Sequence, residues 1–239
     1  MSEPRTAAII VAGGTGERLG RAGGKQLADV LGKPVLSWTL AAFEAAPEVD
    51  LIVVVCHPDR IAEYREVAVE PLALSTPVAF APGGETRQAS VASGLAQVPA
   101  SVATVLVHDG ARPLVTPELI AEALAALAGD EAADGVVVGY PAVDTLKVVA
   151  GNEIAATPER ARFWAVQTPQ IFHAGPLRAA YETARTDGFL GTDDSSLVER
   201  NGGRVLVIEG PRDNIKVTVA EDLVLVEAAL RFRQSGSDA

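Results

Sequence analysis

The sequence predicts an α/β fold: a single doubly wound, mostly parallel β-sheet with helices on both faces and one projecting β-arm. Three observations lead to this prediction. Short apolar runs alternate with segments of helical periodicity along most of the chain. A glycine pair or a carboxylate begins within two residues of the end of three of these runs. Helical periodicity is absent from residues 142–157, where a Gly-Asn turn separates two short runs.

The first half of the chain gives repeated strand–helix units. Apolar runs predict strands at 7–12, 51–56, 78–81, 103–107 and 136–140. Helices are predicted at 34–46, 58–69, 85–97 and 118–128. Thr116 and Pro117 are typical of the N-cap and first position of the last of these helices. Such units form parallel sheets, and ligands bind such sheets at the carboxyl ends of the strands.

The pattern changes at Pro141. Residues 144–149 and 153–155, joined by Gly151-Asn152, are predicted to form a β-hairpin arm within the segment 141–162. Further elements follow the arm: a strand at 163–166, helices at 175–186 and 193–200, and a strand at 204–208. Thr218 and Glu221 form a capping-box pattern that opens a last helix, to about residue 232. No linker indicates a second domain, so we interpret residues 1–239 as one domain.

Composition limits the classes of function. The chain of 239 residues is 48% apolar, enough for a sizeable core. A net charge of -11 argues against nucleic acid or an anionic membrane as partner, although a local cationic cluster can still bind phosphate. The single cysteine excludes a disulfide framework and, with three histidines, offers no zinc constellation. Because neither a signal sequence nor a membrane-length apolar run is present, we expect a cytoplasmic protein.

The segment 9–26, IIVAGGTGERLGRAGGKQ, indicates phosphate binding. A buried strand runs into glycines that let a ligand approach the backbone, and Arg18, Arg21 and Lys25 stand among them. Leu19 occupies the glycine position that a Walker A loop would need, and also the third glycine of a dinucleotide fingerprint after Gly16. Both common motifs are therefore excluded. The simpler alternative is a flexible surface loop, which rarely carries three cations directly after a buried strand.

Three predicted strand ends should converge in space. Gly13-Gly14, Gly83-Gly84 and Asp109 all follow predicted strands. Asp109 can hold a ribose hydroxyl or, through water, a Mg²⁺ ion. Arg112 either holds Asp109 in place or meets phosphate. His108, on the same strand end, is expected to be structural.

Seven segments carry a specific resemblance. AGGTGERLG…GGKQ, PGGETRQAS, VHDGARP, VDTLK, TPERARFWAVQTPQ, GTDDSS and EGPRDNIKVT resemble, in order and spacing, the 2-C-methyl-D-erythritol 4-phosphate cytidylyltransferase family, over residues 7–232. Leu19, Gly24 and Gly110 depart mildly from the family's usual methionine, proline and alanine. The ribitol-phosphate cytidylyltransferases are similar in several of these segments.

The resemblance implies a Rossmann-like fold of the nucleotide-diphospho-sugar transferase type, with CTP and a polyol phosphate as substrates and Mg²⁺ as cofactor. It places Arg18, Lys25 and Lys216 on the triphosphate and the transition state. It assigns the nucleotide to Ala12, Gly13, Gly14, Gly16, Gly83, Glu85, Ser90 and Asp109. It assigns the acceptor to Thr145, Arg160, Arg112, Thr168 and Thr192. The arm would join a homodimer and carry Thr145 and Arg160 into the partner's site.

Alternatives stay open at this point. The arm could fold back on its own domain, which would leave Arg160 as a surface residue. The fold alone would also suit a non-catalytic nucleotide-binding regulator. The combination of Arg18, Lys25 and Lys216 favours an enzyme, because a regulator needs no charge at a leaving group. A dehydrogenase is disfavoured by the glycine spacing.

Overall fold

The computed structural model describes residues 5–14 and 24–236. The strands in these residues are β1 (Thr6–Val11), β2 (Asp29–Val30), β3 (Lys33–Pro34), β4 (Leu51–Cys56), β5 (Val78–Pro82), β6 (Thr104–Asp109), β7 (Gly135–Pro141), β8 (Val148–Ala150), β9 (Glu153–Ala156), β10 (Trp164–His173) and β11 (Val205–Glu209). The α-helices are α1 (Val35–Glu44), α2 (Ile61–Tyr64), α3 (Arg87–Gln97), α4 (Pro117–Ala128), α5 (Ala174–Asp187), α6 (Asp194–Arg200) and α7 (Ala220–Gly236). Short 3₁₀ and π turns extend α2 on both sides.

The central sheet has seven strands in the order β11-β7-β10-β6-β1-β4-β5. All neighbouring pairs are parallel except those of β10, which runs antiparallel to β6 and β7. The chain adds β4 and β5 on one side of β1 and then crosses to place β6 on its other side. The mostly parallel sheet predicted from the sequence is therefore confirmed, and its strand order changes direction between β1 and β6.

Helices cover both faces of this sheet. One core joins α1, α4 and the helical segment after β4 to residues such as Ile10, Val54 and Leu106. The opposite core joins α3, α5 and α6 to alternate residues of the same strands, such as Ile9 and Val53. Because both faces are buried, these strands are continuously apolar, the pattern from which they were predicted.

Strand β10 extends further than its predicted span. The sequence predicted a strand only at 163–166, whereas β10 runs from Trp164 to His173 and includes Pro169, which cannot donate a ladder hydrogen bond. The strand continues to His173, with a register shift against β7 between Val166 and Gln170. The peptide bond from Thr168 to Pro169 is cis. Because of the register shift, Thr168 lies outside the ladders with β6 and β7, and its hydroxyl accepts a hydrogen bond from the N–H of Asp109 at the end of β6.

The predicted hairpin arm is confirmed as a separate antiparallel pair. β8 and β9 pair with each other and with no strand of the central sheet. Every residue of both strands is exposed, including Val148, Val149 and Ile154 at 51%, 58% and 64%. An isolated hairpin with this much apolar exposure is marginally stable in water, so its apolar side chains need a surface to cover.

The start of α7 differs from the predicted capping box. The helix begins at Ala220, and the Asp222 carboxylate accepts hydrogen bonds from the backbone N–H groups of Thr218 and Val219. The Thr218 hydroxyl instead donates to the Lys216 carbonyl. The prediction that Glu221 forms the capping box was wrong, because the acidic residue that accepts these bonds is Asp222, one position later in the sequence.

Within residues 5–14 and 24–236, no helix combines the length and apolarity needed to cross a membrane.

We expect Gly94→Ala to destabilise the protein, although alanine is the better helix former. A Cβ at this position in α3 would lie 2.7 Å from Ile9 Cγ2 and 2.8 Å from Val55 Cγ2, both on branched side chains of the sheet. The overpacking should lower the free energy of unfolding by about 1–3 kcal/mol. Urea denaturation measures it. The control is Gly175→Ala in α5, where a Cβ would meet no heavy atom within 4 Å apart from its chain neighbours and the backbone of its own helix, and equal effects of the two substitutions would contradict the packing argument.

Candidate active site

A cavity of about 560 Å³ lies at the carboxyl ends of β1, β4, β5 and β6. It contains eight of the residues predicted from the sequence: Gly13, Gly14, Lys25, Gly83, Glu85, Ser90, Asp109 and Lys216. The cavity sits where the strand order changes direction, the position at which open α/β sheets bind ligands. The predicted convergence of the three strand ends is thereby confirmed.

Close backbone packing forms the floor of the cavity. The Gly83 N–H donates to the Cys56 carbonyl at 2.7 Å, and the Ala12 N–H donates to the Val55 carbonyl at 2.7 Å. A Cβ on Gly83 would lie 3.3 Å from the Cys56 carbonyl oxygen, which is tighter than most Cβ contacts, so glycine at this position lets the end of β5 approach β4 closely. Ala12 itself is buried beneath the floor, and its carbonyl accepts from the Tyr64 hydroxyl.

The turn between β5 and α3 is held by Ser90. Its hydroxyl accepts from the Gly84 N–H at 3.0 Å and donates to the Thr86 carbonyl at 2.9 Å. Thr86 in turn caps α3 by accepting from the Ala89 N–H. Ser90 therefore shapes the turn that presents Gly83 and Glu85 to the cavity.

Three cations surround the Asp109 carboxylate. Lys216 Nζ lies 2.9 Å and Arg112 Nε 3.3 Å from Oδ2, while Arg87 Nε lies 3.4 Å from Oδ1. Burial alone would raise the pKa of Asp109, but Lys216, Arg87 and Arg112 hold that pKa well below its usual range. The carboxylate is therefore ionised, and the site keeps a net positive charge that suits polyanions.

The neighbouring loops fix this cluster. The Arg112 guanidinium also donates to the Asn214 carbonyl at 2.8 Å. The Thr168 hydroxyl accepts from the Asp109 N–H at 3.0 Å, and the Thr168 carbonyl accepts from the Asn214 side chain at 2.9 Å. Two roles were considered for Arg112, to hold Asp109 in place or to contact phosphate, and the structure shows the contact with Asp109. Thr168 lies behind Asp109 rather than on the cavity wall.

His108 is structural, as predicted. It is fully buried, its ring packs against Phe43 at 5.1 Å between centroids, and its Nε2 lies 3.3 Å from the Arg112 carbonyl. Burial lowers the pKa of His108 to about 3, so the imidazole is neutral.

We expect His108 to make the protein less stable in mild acid. Since the pKa of His108 is about 3 when folded and about 6.5 when unfolded, only the unfolded chain takes up this proton between those values. The free energy of unfolding should fall by up to about 1.4 kcal/mol for each pH unit below 6.5. Urea denaturation of wild type and His108→Gln between pH 6.5 and 5 measures the difference in slope. Identical slopes would contradict the buried neutral imidazole.

Several predicted residues lie elsewhere. Thr145 and Arg160 are exposed on the arm, where the Arg160 guanidinium donates to the Val143 carbonyl of its own chain. Thr192 is exposed just before α6. None of the three lines the cavity in the described part of the chain. Gly16 and Arg18 fall outside the described residues.

Sequence reasoning missed Arg87 and Asp194. Arg87 lines the cavity and bridges Asp109 to the buried Asp194, with 2.8 Å between Arg87 Nη1 and Asp194 Oδ2. Both residues stand in segments that carried the resemblance, but neither was singled out. The available signal was an arginine at the predicted start of a helix, where the helix dipole disfavours a cation unless carboxylates compensate it.

The described side chains of the cavity do not form a complete binding site for a divalent metal ion, but Asp109 could supply one oxygen ligand. Among residues 5–14 and 24–236, no group of three histidine, cysteine, aspartate or glutamate side chains could hold a metal ion. Asp109 supplies one carboxylate in the cationic cluster. Such a site suits Mg²⁺ that keeps its waters and is bound mainly by substrate phosphates.

A second cavity, of about 660 Å³, lies between α3 and α5. Its walls are mainly apolar and include Ala92, Leu95 and Leu190. It lacks the glycine-rich strand ends and the cationic cluster, so the smaller cavity is the candidate active site.

A doubly wound sheet with a glycine-lined, cationic cavity at its switch point is the arrangement of a nucleotide-binding α/β enzyme. The chain belongs to the 2-C-methyl-D-erythritol 4-phosphate cytidylyltransferase (IspD) family, whose model matches residues 6–232. It is therefore a nucleotidyltransferase, and the family resemblance stated from the sequence is confirmed.

Individual relatives agree with this assignment. The chain is 42% identical over 229 residues to the 2-C-methyl-D-erythritol 4-phosphate cytidylyltransferase of Geotalea uraniireducens, covering 95% of this chain and 97% of the relative. It is 43% identical over 230 residues to that of Thermosynechococcus vestitus, covering 95% of each. The crystal structure of 4-diphosphocytidyl-2C-methyl-D-erythritol synthase from Anaerococcus prevotii matches with a TM-score of 0.83 at 29% identity, covering 95% of this chain and 98% of that chain.

Proposed function

We propose that this protein transfers the cytidylyl group of CTP to 2-C-methyl-D-erythritol 4-phosphate. An oxygen of the acceptor phosphate attacks the α-phosphorus of CTP, the bond to the β-phosphate breaks, and pyrophosphate leaves. The products are 4-diphosphocytidyl-2-C-methyl-D-erythritol and pyrophosphate. The observation that carries the proposal is that Lys25, Lys216 and Asp109 share one glycine-lined cavity. The relatives bear the methylerythritol name, so the ribitol-phosphate alternative is not favoured.

The cations do the main catalytic work in this proposal. A phosphate monoester is already an anion near neutral pH, so the reaction needs no general base. The difficulty is to bring one anion up to another and to stabilise charge that moves onto pyrophosphate. Lys25 and Lys216 lie on the cavity wall and suit this role. Arg18 would add a third charge from the preceding loop.

The base is proposed to lie against the turn between β5 and α3. The exocyclic amine of cytosine needs an acceptor, and both Gly83 and Glu85 line the cavity, where the Gly83 carbonyl or the Glu85 carboxylate could serve. Gly13, Gly14 and Gly16 would lie along the triphosphate, and Asp109 would hold a ribose hydroxyl. Ala12 and Ser90 would support the floor and the turn.

Mg²⁺ is the proposed cofactor, arriving with the triphosphate. Asp109 would hold it directly or through water, and the ion would neutralise charge on the phosphate oxygens.

The arm is proposed to complete the acceptor site of a second copy. The exposed apolar residues of β8 and β9 need a surface, and a two-fold partner offers the same arm in return. Thr145 and Arg160 would then hold the acceptor phosphate in the partner's site, with Thr192, Thr168 and Arg112 contributing from the main fold. Arginine suits this contact because its planar fork pairs bidentately with phosphate oxygens. The whole chain would thus be one catalytic domain with a dimerisation arm.

Pyrophosphate release tests the proposed reaction. The purified protein is given CTP and Mg²⁺ with either 2-C-methyl-D-erythritol 4-phosphate or ribitol 5-phosphate. We expect release with the first acceptor and little with the second. Faster release with ribitol 5-phosphate would reject the proposed acceptor, and no release with either would reject the proposed reaction.

We expect CTP to be preferred over UTP by at least about fivefold in kcat/KM. Uracil presents an acceptor where the site expects the amine of cytosine, and a buried unpaired polar group costs about 1–3 kcal/mol. Direct competition between the two nucleotides, with product analysis, measures the ratio. Equal use would contradict the role given to Gly83 and Glu85.

A further inference from the structure

Arg87 occupies an unusual position for a cation. It is the first residue of α3, where the positive end of the helix dipole disfavours it. Two carboxylates compensate: Asp109 on the cavity side and Asp194 on the other. Burial alone would lower the pKa of Arg87, but Asp194 and Asp109 raise it, so the guanidinium stays charged. Arg87 thus connects the end of β6 to the start of α6.

The far side of this connection is firmly anchored. Asp194 is fully buried, and its backbone N–H donates to the Gln170 side chain at 3.2 Å. The buried Tyr181 hydroxyl of α5 donates to Asp194 Oδ1, while Arg87 meets Oδ2. Burial raises the pKa of Asp194 above its usual range, and Arg87 and Tyr181 offset this only in part. The two carboxyl oxygens nevertheless both face donors, Tyr181 at Oδ1 and Arg87 at Oδ2.

The three cations on Asp109 differ in their freedom to move. The Lys216 side chain is 39% exposed, against 27% for Arg87 and 12% for Arg112. Lys216 is therefore the one that can turn from Asp109 towards a phosphate. When it does, Asp109 Oδ2 keeps Arg112, and Arg87 is the cation on Oδ1.

We propose that Arg87 is a positioning residue of this active site: anchored by Asp194 and Tyr181, it holds the Asp109 carboxylate in place while Lys216 engages phosphate. Arg87 acts through Asp109 rather than on the reacting atoms. This inference rests on the roles proposed above for Asp109 and Lys216.

A double-mutant cycle tests the proposal in the full-length enzyme. Arg87→Met should lower kcat/KM for CTP by about tenfold, mainly through kcat, because placement matters most in the transition state. In an Asp109→Asn background, the same substitution should change kcat/KM by less than about threefold, since the group it positions is already altered. Independent, multiplicative effects would overturn the proposal, because Arg87 would then act without Asp109.

Arg178→Met is the matched control. The Arg178 guanidinium also connects two helices, because it lies on α5 and donates to the Leu95 and Val98 carbonyls at the end of α3. Unlike Arg87, it makes no ion pair with Asp109. We expect it to lower the unfolding temperature and leave kcat unchanged. If Arg87→Met behaves in the same way, with reduced stability and normal kcat, its role is only structural and the proposal is overturned.

If Arg87→Met does not fold, Tyr181→Phe tests whether the anchoring of Arg87 through Asp194 matters for turnover. It removes only the hydroxyl that anchors Asp194, and should lower kcat by about threefold in protein with an unchanged circular dichroism spectrum. Normal kcat in that folded variant would overturn the anchored arrangement. Full activity of Asp109→Asn alone would instead reject the role proposed for Asp109 itself. An impaired Asp109→Asn with a normal Arg87→Met would reject this inference and leave that role intact.

Discussion

Lys25→Ala should lower kcat by about 10²–10³, while KM for CTP changes much less. The lysine lines the candidate active-site cavity, together with Lys216 and Asp109. Its charge should matter most when negative charge moves onto departing pyrophosphate, so the loss should appear in turnover rather than in binding. Steady-state pyrophosphate release with varied CTP separates the two parameters.

Lys33→Ala provides a matched control for this lysine. The Lys33 ammonium lies 5.0 Å from the ring centroid of Trp38 and does not line the cavity. We expect near-normal kcat from Lys33→Ala. Near-normal kcat from Lys25→Ala as well would reject the assignment of Lys25 to the transition state.

Arg160→Ala should lower kcat/KM for the acceptor by about 10² or more, because the substitution would remove the charged hydrogen-bonding partner proposed for the acceptor phosphate. KM for CTP should stay close to its wild-type value. The neighbouring Arg162→Ala is the control, since Arg162 is exposed in the same 3₁₀ turn. Similar losses in both variants would point to a general effect on the arm rather than to phosphate recognition.

Mixing the two inactive variants tests the shared site. In a heterodimer of Arg160→Ala and Lys25→Ala subunits, one of the two sites has both residues intact, and random pairing should restore about a quarter of wild-type activity. Subunit exchange is first confirmed with differently tagged chains. No recovery after exchange, or a monomer by sedimentation at the assay concentration, would exclude an arm-completed site.

Local patterns were sufficient to predict the sheet and the position of the candidate site. Strands such as β4 and β6 are buried on both faces and therefore form continuous apolar runs. Glycines follow β1 and β5, and Asp109 ends β6. In a parallel sheet, strand ends meet at one edge, so the convergence of Gly13, Gly83 and Asp109 followed from the order of the elements. The Thr116 cap of α4 could also be predicted from local sequence, because an N-cap side chain bonds a backbone N–H only three residues further along the chain.

Tertiary structure alone decided the remaining features. The antiparallel course of β10 between β6 and β7 depends on pairing with strands far away in the sequence, and its register shift is what places Thr168 behind Asp109. The ion pairs of Arg87 likewise join residues that are distant along the chain. Periodicity reports which residues are buried and in which element. It carries no information on strand direction or on the partner of a buried charge, because both are set by contacts between elements that form only when the chain has folded.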